Sequence, residues 1–238
     1  MKKIAIFISV LLVTTFALNG CGGGGSGRYT VPPDIGGIGP GGSLTPGGSG
    51  GVLPGQPGGA ETNPEAMLYA AWEDFNLGSY NTAIYKFNAV ISSTAASDAD
   101  KYEAYNGLGW ATAKSADGGG IISALEIFSH AYPYNDESKI GYAAALVQRA
   151  RPNDYREALR VLASMGLDRT STVFTPKHPK IGVTNAEAHA LVAVCYFWVG
   201  DQGGALSHIN HARALDSSMD GSVNKIYQNL LAMGLTVN

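Results

Sequence analysis

A short skeleton recurs within residues 64–216 of this 238-residue chain, and it restricts the possible fold more than any other feature. Its clearest copy is Phe75-Asn76-Leu77-Gly78-Ser79-Tyr80-Asn81-Thr82-Ala83-Ile84-Tyr85-Lys86-Phe87. Read physically, one helix ends at Gly78, where a left-handed residue is tolerated, and a second begins at once. Tyr80 is placed to pack across the pair, small Ala83 lets the two helices approach, and Phe87 fills the space one turn later. The same pattern returns as Asp154-Tyr155-Arg156-Glu157-Ala158-Leu159 with Leu162. It returns again as Gly200-Asp201-Gln202-Gly203-Gly204-Ala205-Leu206 with Ile209 and Ala212. A unit of this size cannot bury its apolar face alone, so successive copies must stack on one another.

A noisier copy lies between the first two. Tyr105-Asn106-Gly107-Leu108-Gly109-Trp110-Ala111 supplies its first helix and Ser123-Ala124-Leu125-Glu126-Ile127-Phe128-Ser129-His130-Ala131 its second, across the turn Gly118-Gly119-Gly120. Together these units resemble the tetratricopeptide repeat (TPR), with the aromatic-x-x-Leu-Gly of its helix A and the small and aromatic positions of its helix B. The resemblance implies an all-α, right-handed solenoid of about four helical hairpins plus a C-terminal capping helix, about nine helices in all. The cap is expected over 222–235, where Val223, Ile226, Tyr227, Leu230 and Leu231 share a face. Helix starts are marked by Asn63 before Pro64 and by the capping box Thr184-Asn185-Ala186-Glu187.

Departures from the repeat are equally visible. Ile121 to Tyr155 keeps a 34-residue period, but Tyr80 to Ile121 spans 41 and Tyr155 to Gln202 spans 47. Most of the last excess is the insertion 168–183, with Pro176, His178 and Pro179, expected as an irregular loop or short hairpin. Ser171-Thr172-Val173-Phe174-Thr175 within it is the one strand-like run of the domain. Asp74 and Arg149 stand where the repeat usually has Tyr.

The N-terminal sixty residues are of another kind. Lys2 and Lys3 precede an apolar run, 4–18, that is short for a membrane span and reads as a secretory signal. Leu18-Asn19-Gly20-Cys21 resembles the bacterial lipobox, which implies a signal peptide over 1–20 and lipidation of Cys21. Several acyl chains attach a protein stably without a span. Residues 22–60 hold 17 Gly and 6 Pro, too little apolar surface to offset chain entropy, and are expected to form a disordered tether spanning about 35 Å. The helical domain is then 61–238. Gly22 rather than Asp after the lipidated Cys implies, by the rule of enteric bacteria, an outer-membrane location, facing the periplasm.

Enzymatic signatures are missing: the chain has no phosphate-binding Gly loop after a strand, no G-x-S-x-G, no H-E-x-x-H and no CxxC. Cys195 lies in an apolar helical run and reads as a small hydrophobe. The formal charge is −3, and −5 once Lys2 and Lys3 are removed, which argues against a nucleic-acid partner. His189, His208 and His211 have a spacing that could hold a metal, but no carboxylate or thiolate accompanies them in sequence. The reading is therefore two surface imidazoles, His208 and His211, and a packing one, His189, with no metal or cofactor.

In the TPR register Glu65, Glu103 and Glu187 face the inner, concave surface, as do Trp72 and Trp110. Asn106, Lys114, Arg151, Phe197 and Trp198 line the same surface. Trp and Arg are the side chains that binding hot spots favour. Glu in a first helical turn also complements the helix dipole, and Trp72 and Phe75 are also of core size. The smaller equivalents Val147 and Val194 favour an exposed groove at Trp72 and Trp110. The partner-binding set expected is thus Glu65, Trp72, Glu103, Asn106, Trp110, Lys114, Arg151 and Trp198. These features describe a membrane-anchored, non-enzymatic interaction scaffold of the bacterial envelope, a monomer or one subunit of a larger assembly. It would bind an extended or helical protein segment. The alternative is a carbohydrate- or peptidoglycan-binding lipoprotein with the Trp rings as stacking platforms; a third reading is an enzyme on an α-solenoid using a Glu pair such as Glu65 and Glu103.

Overall fold

The computed structural model describes residues 63–115 and 120–237. The signal, Cys21, the tether and the Gly118-Gly119 part of the second turn lie outside these residues.

The described residues fold as helices without strands. They are α1 (Pro64–Asn76), α2 (Tyr80–Ser92), α3 (Asp98–Ser115), α4 (Gly120–Ser123), α5 (Leu125–Ala131), α6 (Asp136–Arg149), α7 (Asp154–Ala163), α8 (Asn185–Val199), α9 (Gln202–Leu215) and α10 (Ser222–Ala232), with a 3₁₀ turn at Pro179–Ile181. Each hairpin packs within itself: α1 on α2, α3 on α4 and α5, α6 on α7, α8 on α9. The second helix of each pair then packs on the first helix of the next. The first helices α1, α3, α6 and α8 also touch in that order and form one continuous layer. α10 lies on α8 and α9 and covers the last pair with Val223, Ile226 and Leu230.

Local chemistry explains the boundaries. Asn63 accepts a hydrogen bond from the Glu65 N–H at 3.0 Å, with Pro64 at the first helical position. The expected capping box forms at α8, where Thr184 and Glu187 satisfy each other's backbone N–H. α1 and α8 stop at Gly78 (φ 78°) and Gly200 (φ 91°), a conformation that costs a side-chain-bearing residue about 1–2 kcal/mol. In both, the N–H after the glycine bonds five residues back, Ser79 to the Asp74 carbonyl and Asp201 to that of Tyr196.

Packing between pairs rests on aromatic rings pressed against glycine. Phe87 of α2 lies over Gly107 of α3, where a Cβ would stand 2.1 Å from its ring. Phe128 of α5 is held from two sides, by Gly109 of α3 and Gly141 of α6, with hypothetical Cβ distances of 2.5 and 2.4 Å. Ala83, Ala104, Ala111, Ala144 and Ala158 are fully buried and keep the helix axes close.

Several expectations change. The second helix of the second pair, expected as one helix, is divided at Ala124 into α4 and α5, so ten α-helices occur among the described residues. The strand-like run 171–175 forms no strand; the Thr172 hydroxyl donates to the Gly166 carbonyl at 2.6 Å and folds this stretch into a turn. The two positions lacking the usual Tyr are bridged by ions instead. Asp74 pairs with Lys86 across α1 and α2 at 2.6 Å, and Arg149 grips Asp154 with two nitrogens at 2.9 and 2.7 Å.

Because Phe128 is clamped on both faces, it cannot yield to a new methyl group. Gly141→Ala is expected to destabilise the protein by about 3 kcal/mol. Gly203→Ala, whose Cβ would meet nothing closer than 3.6 Å, should be neutral or stabilising by up to about 1 kcal/mol. Urea denaturation of the two variants measures both.

Candidate functional site

The insertion 168–183 does not hang outside the domain. It is a strap that crosses the layer of first helices, and half of the expected binding residues, Trp72, Glu103, Asn106 and Lys114, lie under it or against it. Its apolar anchors are Phe174, Ile181 and Val183, all buried. The Phe174 N–H donates to the Asn185 side chain at 2.8 Å, which ties the strap to the start of α8. Between its two limbs and α8 lies a cavity of about 390 Å³ lined by residues including Phe174, Pro176, Pro179, Val183 and Asn185.

At the centre of the strap His178 enters the layer between three helices. Its ring stacks on Trp72 of α1 with centroids 3.5 Å apart and planes 5° from parallel. Its Nδ1 meets Glu137 of α6 at 2.8 Å, and its backbone N–H donates to the other oxygen of the same carboxylate at 2.6 Å. Its Nε2 lies 3.2 Å from Glu103 of α3, which also receives Lys177 at 2.9 Å. Neighbouring polar side chains hold the carboxylates in place. Asn106 donates to Glu137 at 2.7 Å and accepts from Ser138 at 3.0 Å, while Asn135 donates to Glu103 at 3.0 Å. Burial pushes the Glu137 carboxyl up, but hydrogen bonds from the His178 ring and backbone and from Asn106 outweigh it and leave the pKa below its ordinary 4.5.

The expected groove residues fare unequally. Trp72 and Trp110 are 7% and 2% exposed, so the exposed aromatic groove expected at these two positions is not present. Trp72 is covered by His178 on one side and meets Phe75 and Phe87 edge-on; Trp110 packs edge-on against Phe128. Asn106 is wholly buried and serves the carboxylates rather than a surface. Glu103 faces the strap. Lys114, half-buried, brings its ammonium 3.4 Å from where a Cβ on Gly182 would stand, at the strap's far end. Glu187 is spent on the capping box and accepts the Ser222 hydroxyl at 2.7 Å. Trp198 is half-buried and stacked on Tyr155, centroids 5.2 Å apart, with Phe197 edge-on beside it. Glu65 and Arg151 are exposed, outside the His178 network.

Three residues of that network were not among the expected ones: Glu137, Lys177 and His178. Glu137 follows Glu103 by 34 residues, the repeat's own period, and that spacing was the available signal. Nothing in sequence announces that the insertion returns to the helices before it. His208, expected on the surface, is instead 3% exposed and packed on His189. Cys195 is completely buried, and burial pushes its thiol far up, which suits its reading as a small core residue.

The indole N–H groups of Trp72, Trp110 and Trp198 are buried without a hydrogen-bond partner among the described residues. Such a donor costs about 1–3 kcal/mol unless an acceptor reaches it. The inner layer therefore combines a paired carboxylate slot, a stacked aromatic face and unspent donors. That is a chemistry for holding a chain segment, and it is already holding one.

No protein-family model matches the chain, and no curated protein matches it. Among solved structures, the crystal structure of a thermophilic TPR protein of Thermus thermophilus is similar. It is 18% identical, the match covers 72% of this chain and 84% of that one, and the TM-score is 0.46.

Removing the His178 ring leaves Glu137 buried with one of its partners lost. His178→Ala should cost about 3–5 kcal/mol in chemical denaturation at neutral pH. A depressed carboxylate pKa gives stability that is complete above the ordinary value and is lost as pH falls through the lower, folded one. The acid limb of the wild-type stability curve below pH 4.5 should accordingly be steeper than that of His178→Ala.

Proposed function

We propose that the protein is a membrane-anchored interaction scaffold of the bacterial cell envelope, non-enzymatic, with its helical domain held out from the bilayer by lipidated Cys21 and the Gly-rich tether. The domain binds an extended segment of a protein partner at the layer formed by α1, α3, α6 and α8. One observation carries this reading: that layer already accommodates a non-helical stretch of the chain, residues 174–178 leading into the 3₁₀ turn Pro179–Ile181, through a stacked ring, two carboxylates and a backbone N–H. These are the elements by which a groove holds a peptide in general, main-chain polar contacts for affinity and a side-chain slot for selectivity. Glu65 and Arg151, both exposed, are the expected binding residues left open to a partner.

The anchoring part of the proposal rests on the signal and lipobox pattern in the sequence. No helix among the described residues is long and apolar enough to cross a membrane. The carbohydrate alternative is supported less, since Trp72 is stacked on His178 and Trp110 is enclosed, which leaves half-buried Trp198, with Tyr155 against one face, as its platform.

Two experiments test the proposal. A photo-crosslinking residue at exposed Glu65 in living cells should give one discrete protein adduct, with none from exposed Tyr85 of α2. His178→Ala, which loosens the strap, should raise the yield severalfold. No adduct from Glu65 in either background would overturn the scaffold reading. Separately, Cys21→Ser should abolish incorporation of labelled palmitate and release the protein from the membrane fraction; unchanged fractionation would overturn the anchor.

A further inference from the structure

At the root of the strap, two histidines from adjacent helices stand in an arrangement that simple proton counting does not satisfy. His189 of α8 and His208 of α9 are 0% and 3% exposed. The Nε2 of His189 lies 2.9 Å from the Thr172 carbonyl, and the Nε2 of His208 lies 3.1 Å from the Asp168 carbonyl. A carbonyl only accepts, so each Nε2 carries the proton. The two remaining nitrogens, both Nδ1, face each other at 3.2 Å. In neutral rings these are two lone pairs in contact, and a cation is what such a pair receives.

We propose that His189 and His208 bind a first-row transition-metal ion of the imidazole-preferring class, Zn²⁺ above all, through their two Nδ1 atoms. Two nitrogens bound to one tetrahedral ion at about 2.0–2.1 Å lie about 3.3 Å apart, close to the observed separation. The outer contacts fit as well: metal-binding imidazoles characteristically donate their second N–H to a backbone carbonyl, and both do so here. Burial is the largest influence on both rings and holds them toward the neutral, metal-binding form, helped by repulsion from neighbouring His211. A cavity of about 310 Å³ lined by Asp168, Tyr196, Asp201, Ser207 and His208 among others borders one ring of the pair, that of His208.

Among the described residues no group of three or more His, Cys, Asp and Glu side chains stands ready as a metal cage. The protein thus supplies a two-point clasp. His211, one turn after His208 and edge-on to His189 with centroids 4.7 Å apart, is the side chain best placed to turn in as a third ligand. A bound ion would fasten α8 and α9 to the strap's root through the Thr172 and Asp168 carbonyls.

The test is a titration of the purified protein with Zn²⁺ and, as a spectroscopic probe, Co²⁺. One equivalent should bind at micromolar concentration with the visible absorption of tetrahedral Co²⁺. On adding Zn²⁺, the ¹⁵N signals of the His189 and His208 Nδ1 atoms should move while both Nε2–H signals persist. His189→Gln and His208→Gln keep an N–H for the loop carbonyl but lose Nδ1, and each should weaken binding at least tenfold. His130→Gln, at an exposed position of α5, should bind as wild type. Absence of saturable binding up to millimolar metal would overturn the proposal. So would nitrogen signals that ignore zinc and instead titrate together as one shared proton. The nitrogen spectra of the wild type decide the matter even if a Gln variant does not fold.

Discussion

The arrangement of this domain depends on aromatic rings that have no room to move. Phe87 lies on Gly107, and Phe128 is caught between Gly109 and Gly141. Each ring belongs to the second helix of a pair and each glycine to a first helix; Phe87 on Gly107 and Phe128 on Gly141 fix how one hairpin seats on the next, while Phe128 on Gly109 closes its own hairpin. Interiors packed to crystal-like density transmit such constraints, because a ring that cannot slide sets the distance between two backbones. The split of the second hairpin into α4 and α5 is tolerated for the same reason: Phe128 holds α5 between α3 and α6 whatever the turn before it does.

Where the repeat loses its usual aromatic, the structure supplies charge. Asp74 with Lys86 and Arg149 with Asp154 each link the two helices of one hairpin at a position where the sequence departs from the repeat pattern. Both pairs are partly exposed, so their worth lies more in fixing geometry than in net stability. The Arg149 pair also has the bidentate form that makes guanidinium contacts directional.

The helices were legible because their signals are local. Asn63-Pro64, the Thr184–Glu187 box and the glycines at 78 and 200 act within a turn of the chain, and a clear apolar face marks elements such as α7 and α10. Stacking of pairs was legible because a small residue on one helix and an aromatic on the next recur in register. The site was legible only in part. Glu103 and Asn106 fell on the correct face, but Trp72 and Trp110 were read as open because the register describes the repeats alone. Trp110 is closed over by Phe128, and what covers Trp72 is an insertion whose Lys177 and His178 reach Glu103 and Glu137 from 74 and 41 residues away. Such contacts leave no periodic trace. The same holds for His189 and His208, whose meeting depends on side-chain direction across two helices and on carbonyls that a loop brings in.

The strap is joined to the domain at both ends, and this sets a quantitative condition on anything that would replace it. A segment held by short connections faces its own site at an effective concentration of order millimolar. A free peptide offering only the same stacked ring and the same polar contacts would therefore need comparable concentration to occupy half the sites. A competitor must bring contacts that 174–181 does not make, such as acceptors for the orphaned indole donors or a footprint that includes Glu65 and Arg151. Built this way, the domain sets a threshold that sequences merely similar to its own strap do not pass.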